Sequence, residues 1–387
     1  MISEISKLNL PHGSTIIEDA DEEIFLLYTN KQQSSSGSTR SNTATTGAGG
    51  GLGINSQSGD VLNLSIVVEN PWKQPRGGTE QKKGKKSSKG KEKESFEVEV
   101  ELHQSIDSLR NRAGDTGSVL WRLSLHLAKF LLTNHYFPNP SFPPLLPNLS
   151  ASKILELGSG TGFLGIALRS IFQNTNLPKP PSRATQTLCS SSSSTLPRAS
   201  SFHWTFSDQL ENLPLVLRNL KANSVLPSEV GEEAQHSYSI LELDWIHESQ
   251  EYLKESQSSN SGGGATSRID RQFADLILAV DCLYNPSLSA PLAHTILRNS
   301  TNETVVVVVS ELRESEALET FLKTWLEEGQ EIFDGYDWKV ARLNWNEVSG
   351  EDGEKYREKV VGELGDSGFV TWVGWCEFSS RRGAPPD

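Results

Sequence analysis

The stretch KILELGSGTGFLGIAL, residues 153–168, decides the fold. It opens with a short apolar run that is typical of a buried strand. Three glycines follow, at Gly158, Gly160 and Gly162, and the apolar residues after them recur at helical spacing. Strand, glycine turn and helix together predict the first βα unit of an open α/β sheet, in which the turn holds a ligand against the start of the helix.

The spacing of these glycines argues against a dinucleotide as the ligand. The dinucleotide fingerprint is G-x-G-x-x-G, whereas Phe163 stands where its third glycine would fall. Glu156 precedes the first glycine, and a carboxylate there would repel a pyrophosphate and suit a cationic ligand. The pattern E-L-G-S-G-T-G resembles the first motif of the seven-stranded methyltransferases, which bind S-adenosylmethionine, a cation at its sulfonium and its amine. A glycine turn without any ligand is the alternative.

Composition narrows the class of partner. The chain of 387 residues has 49 acidic and 36 basic side chains and a net charge of −13, which disfavours a nucleic-acid surface and suits a basic protein partner. Its three cysteines form no C-x-x-C pair, which indicates a reducing compartment and no structural metal. Without a signal peptide or a long apolar run, we expect a cytoplasmic protein with no membrane contact, with the nucleus as a second location.

Low-complexity segments divide the chain. Residues 1–113 are predicted to be an N-terminal extension in which 61–68 and 96–102 pair as antiparallel strands and 24–28 forms a further strand. Its loops are rich in Ser and Gly at 32–59 and in Lys at 77–93, and we expect both to lack packing. For the lysine-rich loop, contact with RNA or use as a nuclear signal remains the alternative. Residues 114–387 are predicted to form the catalytic domain, with insertions near 174–201 and 248–271.

Strands and helices alternate after residue 153, which predicts a Rossmann-like α/β sheet of seven strands with helices on both faces. The last two strands follow each other directly and indicate an antiparallel edge. The remaining strands are predicted at 202–208, 238–245, 273–284, 304–311, 336–348 and 369–378. Helices are predicted at 119–132, 163–172, 212–222, 291–297 and 317–328.

Two strand ends carry side chains suited to a nucleoside. Asp208 ends the second strand of the sheet, where a carboxylate can accept both hydrogen bonds of a ribose diol; capping of the next helix is the alternative. Trp245 ends the third, where its ring would form a flat wall for adenine and Asp244 a polar contact. For this tryptophan, packing in the core is the alternative.

The fourth strand ends in D-C-L-Y, which places Asp281 and Tyr284 beside the ligand. A lysine amine, with a pKa of about 10.4, must lose a proton before it attacks a methyl group. A carboxylate and a tyrosine can hold the amine, accept its hydrogens and stabilise a cationic product. The alternative is that Asp281 caps the next turn and Tyr284 packs.

The motifs in this order resemble methyltransferase family 16, a group of protein-lysine methyltransferases whose fourth motif is D-x-x-Y and which carry an upstream G-x-x-x-W. Here G-S-V-L-W ends at Trp121. The resemblance implies catalytic roles for Asp281 and Tyr284. It implies cofactor contacts, with S-adenosyl-L-methionine as the cofactor, at Trp121, Gly158, Ser159, Gly160, Asp208, Trp245 and Val280.

The N-terminal motifs narrow the resemblance. R-G-G at 76–78, Q-S-I-x-S-L-x-x-R at 104–112 and T-G-x-V-L-W at 116–121 are similar to members that modify a large-subunit ribosomal protein. The resemblance therefore implies a monomeric enzyme that methylates a lysine of a basic ribosomal protein and binds no nucleic acid directly. Two alternatives stay open: a methyltransferase of another cytosolic protein or small amine, and a non-catalytic module that docks on a basic partner.

Overall fold

The protein is described by a computed structural model that covers residues 8–37, 59–72, 95–111, 116–147, 149, 152–172, 202–225, 236–260, 273–333, 335–345 and 350–379. The predicted loop at 77–93, the insertion at 174–201, most of the predicted loop at 32–59 and the second half of the insertion at 248–271 lie outside these residues. Residues 32–37, predicted to belong to a loop, form instead the end of a helix. The strands are β1 Thr15–Ile16, β2 Val61–Glu69, β3 Ser95–His103, β4 Lys153–Leu157, β5 Phe202–Asp208, β6 His236–Glu242, β7 Leu276–Val280, β8 Val305–Glu311, β9 Tyr336–Arg342 and β10 Phe369–Phe378. The helices are α1 Ala20–Gly37, α2 Ile106–Asn111, α3 Arg122–Tyr136, α4 Phe163–Phe172, α5 Leu213–Ala222, α6 Trp245–Asn260, α7 Pro286–Arg298, α8 Ser315–Ile332 and α9 Glu351–Lys355.

The main sheet has the strand order β1-β9-β10-β8-β7-β4-β5-β6. Strands β4 to β8 pair in parallel, whereas β10 lies between β8 and β9 and is antiparallel to both. The predicted mixed α/β sheet is therefore confirmed, including its antiparallel edge, and the two-residue β1 adds an eighth strand beside β9. The predicted pair β2–β3 forms a separate two-stranded sheet.

Both faces of the main sheet are buried. Along β8, Val305, Val307 and Val309 pack in one hydrophobic cluster, and Val306 and Val308 pack in the other. Successive side chains of a strand point to opposite faces, so a run of five valines can only be buried completely if helices cover both sides. The first cluster includes residues of α3, α4 and α5 and the inner face of the hairpin, and the second includes residues of α1, α6, α7 and α8.

Residues 24–28, predicted as a strand, lie instead in α1. The apolar side chains of Ala20, Ile24 and Leu27 are buried and recur at three and four residues, which is the period of a helix. Asp19 caps the helix, since its Oδ1 accepts a hydrogen bond of 2.9 Å from the amide of Glu22. The prediction was wrong because it read only the five apolar residues and not the acidic start that precedes them.

The third and fourth strands of the predicted parallel sheet are shorter than expected. Strand β6 ends at Glu242, so Trp245 begins α6 rather than ending a strand. Residues 248–260, expected to belong to an insertion, form most of α6, in which Glu248, Ser249 and Tyr252 are buried. Asp244 caps α6, since its Oδ1 accepts a hydrogen bond of 2.8 Å from the amide of Ile246.

Candidate functional site

A cleft of about 830 Å³, counted to its open mouth, lies at the carboxyl ends of β4, β5, β6 and β7. Ligands of open α/β sheets bind at this edge. All nine residues that the sequence predicts for the site line this one cleft: Trp121, Gly158, Ser159, Gly160, Asp208, Trp245, Val280, Asp281 and Tyr284. The structure thus brings the predicted residues together, while their roles stay predictions.

The glycine turn forms the floor of the cleft. Gly158 and Gly160 have φ angles of +62° and +54°, a region that favours glycine. A Cβ on Gly158 would lie 3.0 Å from the sulfur of Cys282, and one on Gly160 would lie 3.0 Å from the carbonyl oxygen of Gly117. The turn is therefore packed so tightly that any residue other than glycine at these two positions would collide with its neighbours.

Asp208 holds the glycine turn from the neighbouring strand. Its Oδ2 accepts a hydrogen bond of 2.7 Å from the amide of Gly160. Its Oδ1 accepts bonds of 2.8 Å from the amide of Gln209 and from the side-chain amide of Asn212. The carboxylate is buried and fixes the turn from the carboxyl end of β5.

Two tryptophans stand in the cleft wall. Trp245 is half-buried, and its ring approaches to 3.2 Å from the position of a Cβ on Gly158. Trp121 lies directly before α3, and its indole nitrogen donates a hydrogen bond of 2.8 Å to the carbonyl of Thr116. Both rings offer flat apolar surface to a ligand, as a nucleoside base requires.

Asp281 sits immediately after β7 in a left-handed conformation, with φ +57°. Non-glycine residues rarely adopt this conformation, and such residues concentrate at ligand sites. Its amide donates a hydrogen bond of 2.8 Å to the carbonyl of Val309, and its Oδ2 accepts one of 2.9 Å from Arg313. Burial raises the pKa of the Asp281 carboxyl, and the Arg313 guanidinium opposes that rise.

The thiol between the two predicted catalytic residues is buried. Burial raises the pKa of Cys282, and the carboxylate of Asp281 adds to the rise, which favours the protonated thiol over the thiolate. Its sulfur lies 3.5 Å from the carbonyl oxygen of Leu157 and packs against the glycine turn. Tyr284, by contrast, is half-buried and lines the cleft.

Glu156 does not have the role that the sequence suggested. Its side chain is buried behind the turn and accepts a hydrogen bond of 2.9 Å from the indole nitrogen of Trp204, and it is not among the described residues that line the cleft. Burial raises its pKa to about 8, and the charge of Asp208 contributes in the same direction. Because strand side chains alternate between faces, the residue two before Gly158 points into the helical layer rather than toward the ligand.

Sequence reasoning missed three residues at the site: Gly117, Asn212 and Arg313. Gly117 packs against Gly160, and its Cβ position lies 2.4 Å from the side-chain amide nitrogen of Asn212. The signal for Gly117 was present, since it opens the motif that ends at Trp121. Arg313 had no comparable signal, because its contact with Asp281 depends on β7 and β8 being neighbours.

The described part of the chain has neither a metal-binding cluster nor a helix that could span a membrane. It contains no group of three or more His, Cys, Asp or Glu side chains arranged to hold a metal ion. Among the helices that the structure describes, none is both long and apolar enough to cross a membrane.

Comparison with known proteins gives a family match and one curated relative. A family profile described as lysine methyltransferase matches residues 103–178 and 264–328. A protein of Schizosaccharomyces pombe (strain 972 / ATCC 24843), named diaminohydroxyphosphoribosylamino-pyrimidine deaminase, is 28% identical over 227 residues, which cover 58% of this chain and 41% of that protein. The chain thus spans about two fifths of the length of that relative, and the name describes that longer protein.

Solved structures of low sequence identity are also similar. A putative SAM-dependent methyltransferase from Streptococcus mutans is 9% identical with a TM-score of 0.33, and the match covers 72% of this chain and 53% of that one. A TehB-like SAM-dependent methyltransferase from Corynebacterium glutamicum is 10% identical with a TM-score of 0.27, covering 59% and 81%. A methyltransferase from Pyrococcus furiosus is 12% identical with a TM-score of 0.28, covering 59% and 76%.

The matched segments contain much of the cleft. The first includes α3, β4, the glycine turn and α4, and the second includes β7, Asp281, Tyr284 and β8. Asp208 and Trp245 lie between the two matched segments. The chain therefore matches a lysine methyltransferase family over the segments that form the floor and one end of its cleft, and a match to this family implies S-adenosylmethionine as the cofactor.

Proposed function

We propose that this protein transfers a methyl group from S-adenosylmethionine to the side-chain amine of a protein lysine. One observation carries the proposal: residues predicted for the cofactor and residues predicted for the acceptor line a single cleft at the carboxyl edge of the sheet. The matched family points to the same reaction. The cofactor would supply a methyl group that is already activated on a sulfonium, so the protein needs to supply mainly orientation and electrostatics.

The cleft has features that fit this cofactor. Gly158 and Gly160 line the cleft without side chains, which would let a nucleoside approach the backbone closely. The rings of Trp245 and Trp121 would bound the adenine and the methionine parts. Asp208, at the carboxyl end of β5, would accept hydrogen bonds from the ribose hydroxyls.

Asp281 and Tyr284 would act on the acceptor. The pKa of a lysine amine is about 10.4, so the amine has to reach the cleft in its neutral form or lose its proton there. The Asp281 carboxylate would accept hydrogens of the amine and orient its lone pair, and the Tyr284 ring would stabilise the methylated, positively charged product. Val280 would contact the cofactor from the last position of β7.

We further propose that the acceptor is a protein of the large ribosomal subunit and that the enzyme acts in the cytoplasm. The N-terminal motifs resemble those of the fungal enzyme ribosomal lysine N-methyltransferase 5. The net charge of −13 supports a basic protein as the acceptor, because complementary charge favours encounter. In this proposal residues 1–113 form an extension to the methyltransferase domain at 114–387.

Cofactor binding is the first test. Isothermal titration calorimetry of the full chain with S-adenosylhomocysteine should show one site, and absence of binding would reject both enzymatic alternatives. The second test mixes the protein with purified large ribosomal subunits and tritium-labelled S-adenosylmethionine, followed by mass spectrometry of the labelled band. Label that appears only on other cytosolic proteins would reject the ribosomal acceptor and keep the activity.

A substitution at the acceptor end of the cleft, the part lined by Asp281 and Tyr284, distinguishes cofactor binding from methyl transfer. Asp281→Asn should remove most of the methylation while S-adenosylhomocysteine binds as before, because the lost charge faces the amine. Asp352→Asn, on the exposed α9, serves as the matched control and should leave both unchanged. Full methylation by the Asp281 variant would contradict the role given to this carboxylate.

A further inference from the structure

A cation that belongs to the protein itself borders the acceptor end of the cleft, where Arg313 pairs with Asp281. Arg313 follows β8, and its Nη2 donates hydrogen bonds to the Oδ2 of Asp281 at 2.9 Å and to the Oε2 of Glu311 at 2.8 Å. The carbon of its guanidinium lies 5.0 Å from the centre of the Trp121 ring. Two carboxylates and the face of an indole are the surroundings that bind an organic cation well.

Two of these three groups, Trp121 and Asp281, also line the cleft, with Tyr284 beside them. On the proposed function, on which this inference rests, the acceptor lysine must bring its amine to the same carboxylate. We propose that Arg313 determines specificity as a placeholder. Its guanidinium occupies the cation site beside Asp281 and Trp121 while no acceptor is bound, and the ammonium of the incoming lysine displaces it.

The neighbouring charges support displacement. Glu311 is shared by two arginines, because its Oε1 accepts a hydrogen bond of 2.9 Å from Arg122 while its Oε2 faces Arg313. When Arg313 leaves, Glu311 keeps Arg122, and the group of two carboxylates and two guanidiniums changes from neutral to one net negative charge. One lysine ammonium neutralises that charge.

Exposure gives Arg313 a path out of the site. Its side chain is 24% exposed, whereas the Asp281 side chain is 5% exposed. The partly exposed guanidinium can exchange its contacts for water, whereas the carboxylate that it leaves is buried and needs a new cation. While no acceptor lysine is bound, the guanidinium of Arg313 therefore compensates the charge of the buried Asp281 carboxylate.

A fixed positioning role for Arg313 predicts the opposite effect of its removal on the binding of an ammonium ion. If Arg313 were a fixed positioning residue that orients Asp281, its removal would weaken binding of any ammonium ion. If it is a placeholder, its removal takes away a competitor and strengthens that binding. The sign of the change decides between the two roles.

The test measures binding of n-butylammonium, a mimic of the lysine side chain, to the wild-type chain, Arg313→Met and Arg218→Met, the last being an exposed arginine of α5. The readout is the indole ¹⁵N–¹H signal of Trp121, assigned with Trp121→Phe. An intramolecular competitor that occupies its site about 90% of the time reduces apparent affinity about tenfold. We therefore expect Arg313→Met to bind the ion about tenfold more tightly than wild type, and Arg218→Met to bind it as wild type does.

Neutral 1-pentanol, which has similar length, should give no such gain. Arg313→Gln, which keeps hydrogen-bond donors without the charge, should gain affinity in the same direction and replaces the Met variant if that one does not fold. Equal or weaker binding of butylammonium by the folded Arg313 variant would overturn the proposal. Calorimetry with S-adenosylhomocysteine on the same samples reports separately on the proposed function, since its failure would leave the ammonium comparison intact.

Discussion

Replacement of Glu156 by glutamine should make the protein more stable, and increasingly so as the pH rises. The carboxyl is buried behind the glycine turn and accepts a hydrogen bond from the indole nitrogen of Trp204. Burial raises its pKa from the ordinary 4.5 to about 8. Glutamine keeps an acceptor for Trp204 and has no charge to bury, so it reproduces the protonated state of the glutamate at every pH.

The size of the effect follows from the linkage between protons and folding. Between pH 4.5 and 8 the unfolded chain releases the proton of Glu156 while the folded chain keeps it, so stability falls with rising pH across this window. Each pH unit in this window lowers the free energy of unfolding of the wild type by about 1.4 kcal/mol. The accumulated loss is about 1 kcal/mol at pH 5 and about 4 kcal/mol at pH 8. Above pH 8 both states are ionised, and the loss stops growing.

Urea unfolding at pH 5 and pH 8 measures this difference, with Glu242→Gln, at the exposed end of β6, as the control for the same chemical change. The stability gap between Glu156→Gln and wild type should widen by about 3 kcal/mol between the two pH values. A gap that does not depend on pH would refute the reasoning. So would a large loss of S-adenosylhomocysteine affinity in the variant, because it would show that an ionised Glu156 attracts the ligand after all.

Three further substitutions test the cleft and its supports. Gly160→Ala should lower the free energy of unfolding by about 2 kcal/mol and weaken cofactor binding, since its Cβ would lie 3.0 Å from the carbonyl of Gly117 at a φ of +54°; unchanged thermal stability would contradict the strain. Asp208→Ala should weaken S-adenosylhomocysteine binding by about 1–3 kcal/mol in calorimetry, and equal affinity would reject its binding role. Arg342→Met should cost about 3 kcal/mol in urea unfolding, because it leaves the buried carboxylate of Glu23 without its guanidinium 2.9 Å away; a loss below about 1 kcal/mol would show that this ion pair matters little.

The bounds of three strands could be predicted closely. Strands β5 and β10 begin and end at the predicted residues, and β8 differs by one residue at its start. In β8 the run of five valines marks the strand, because a parallel strand that is covered on both faces is apolar on both. The glycine turn was predictable for a similar reason, because positive φ angles at Gly158 and Gly160 demand glycine.

Capped helices and contacts between strand ends were harder to predict. The run IFLLY at 24–28 has a composition that suits either a strand or a helix, and only the cap at Asp19 and the buried Ala20 select the helix. Arg313 lies 32 residues after its partner Asp281, so their ion pair follows from the order of strands and not from any local pattern. The cation at the acceptor end therefore became visible only in three dimensions.

The N-terminal hairpin is connected to the cleft through hydrogen bonds, although none of its described residues lines the cleft. The buried amide of Asn219 joins the hairpin to the glycine turn: its nitrogen donates to the carbonyls of Thr161 and His103, each at 2.9 Å, and its oxygen accepts from the amide of His103 at 2.7 Å. Two residues after His103, the amide of Ser105 donates a hydrogen bond of 2.7 Å to the carbonyl of Ser118, within the segment that carries Trp121. The hairpin is thus bonded on one side to the floor of the cleft and on the other to its wall. Residues 103–105 are therefore hydrogen-bonded, through Asn219 and Ser118, both to the glycine turn and to the segment that ends in Trp121.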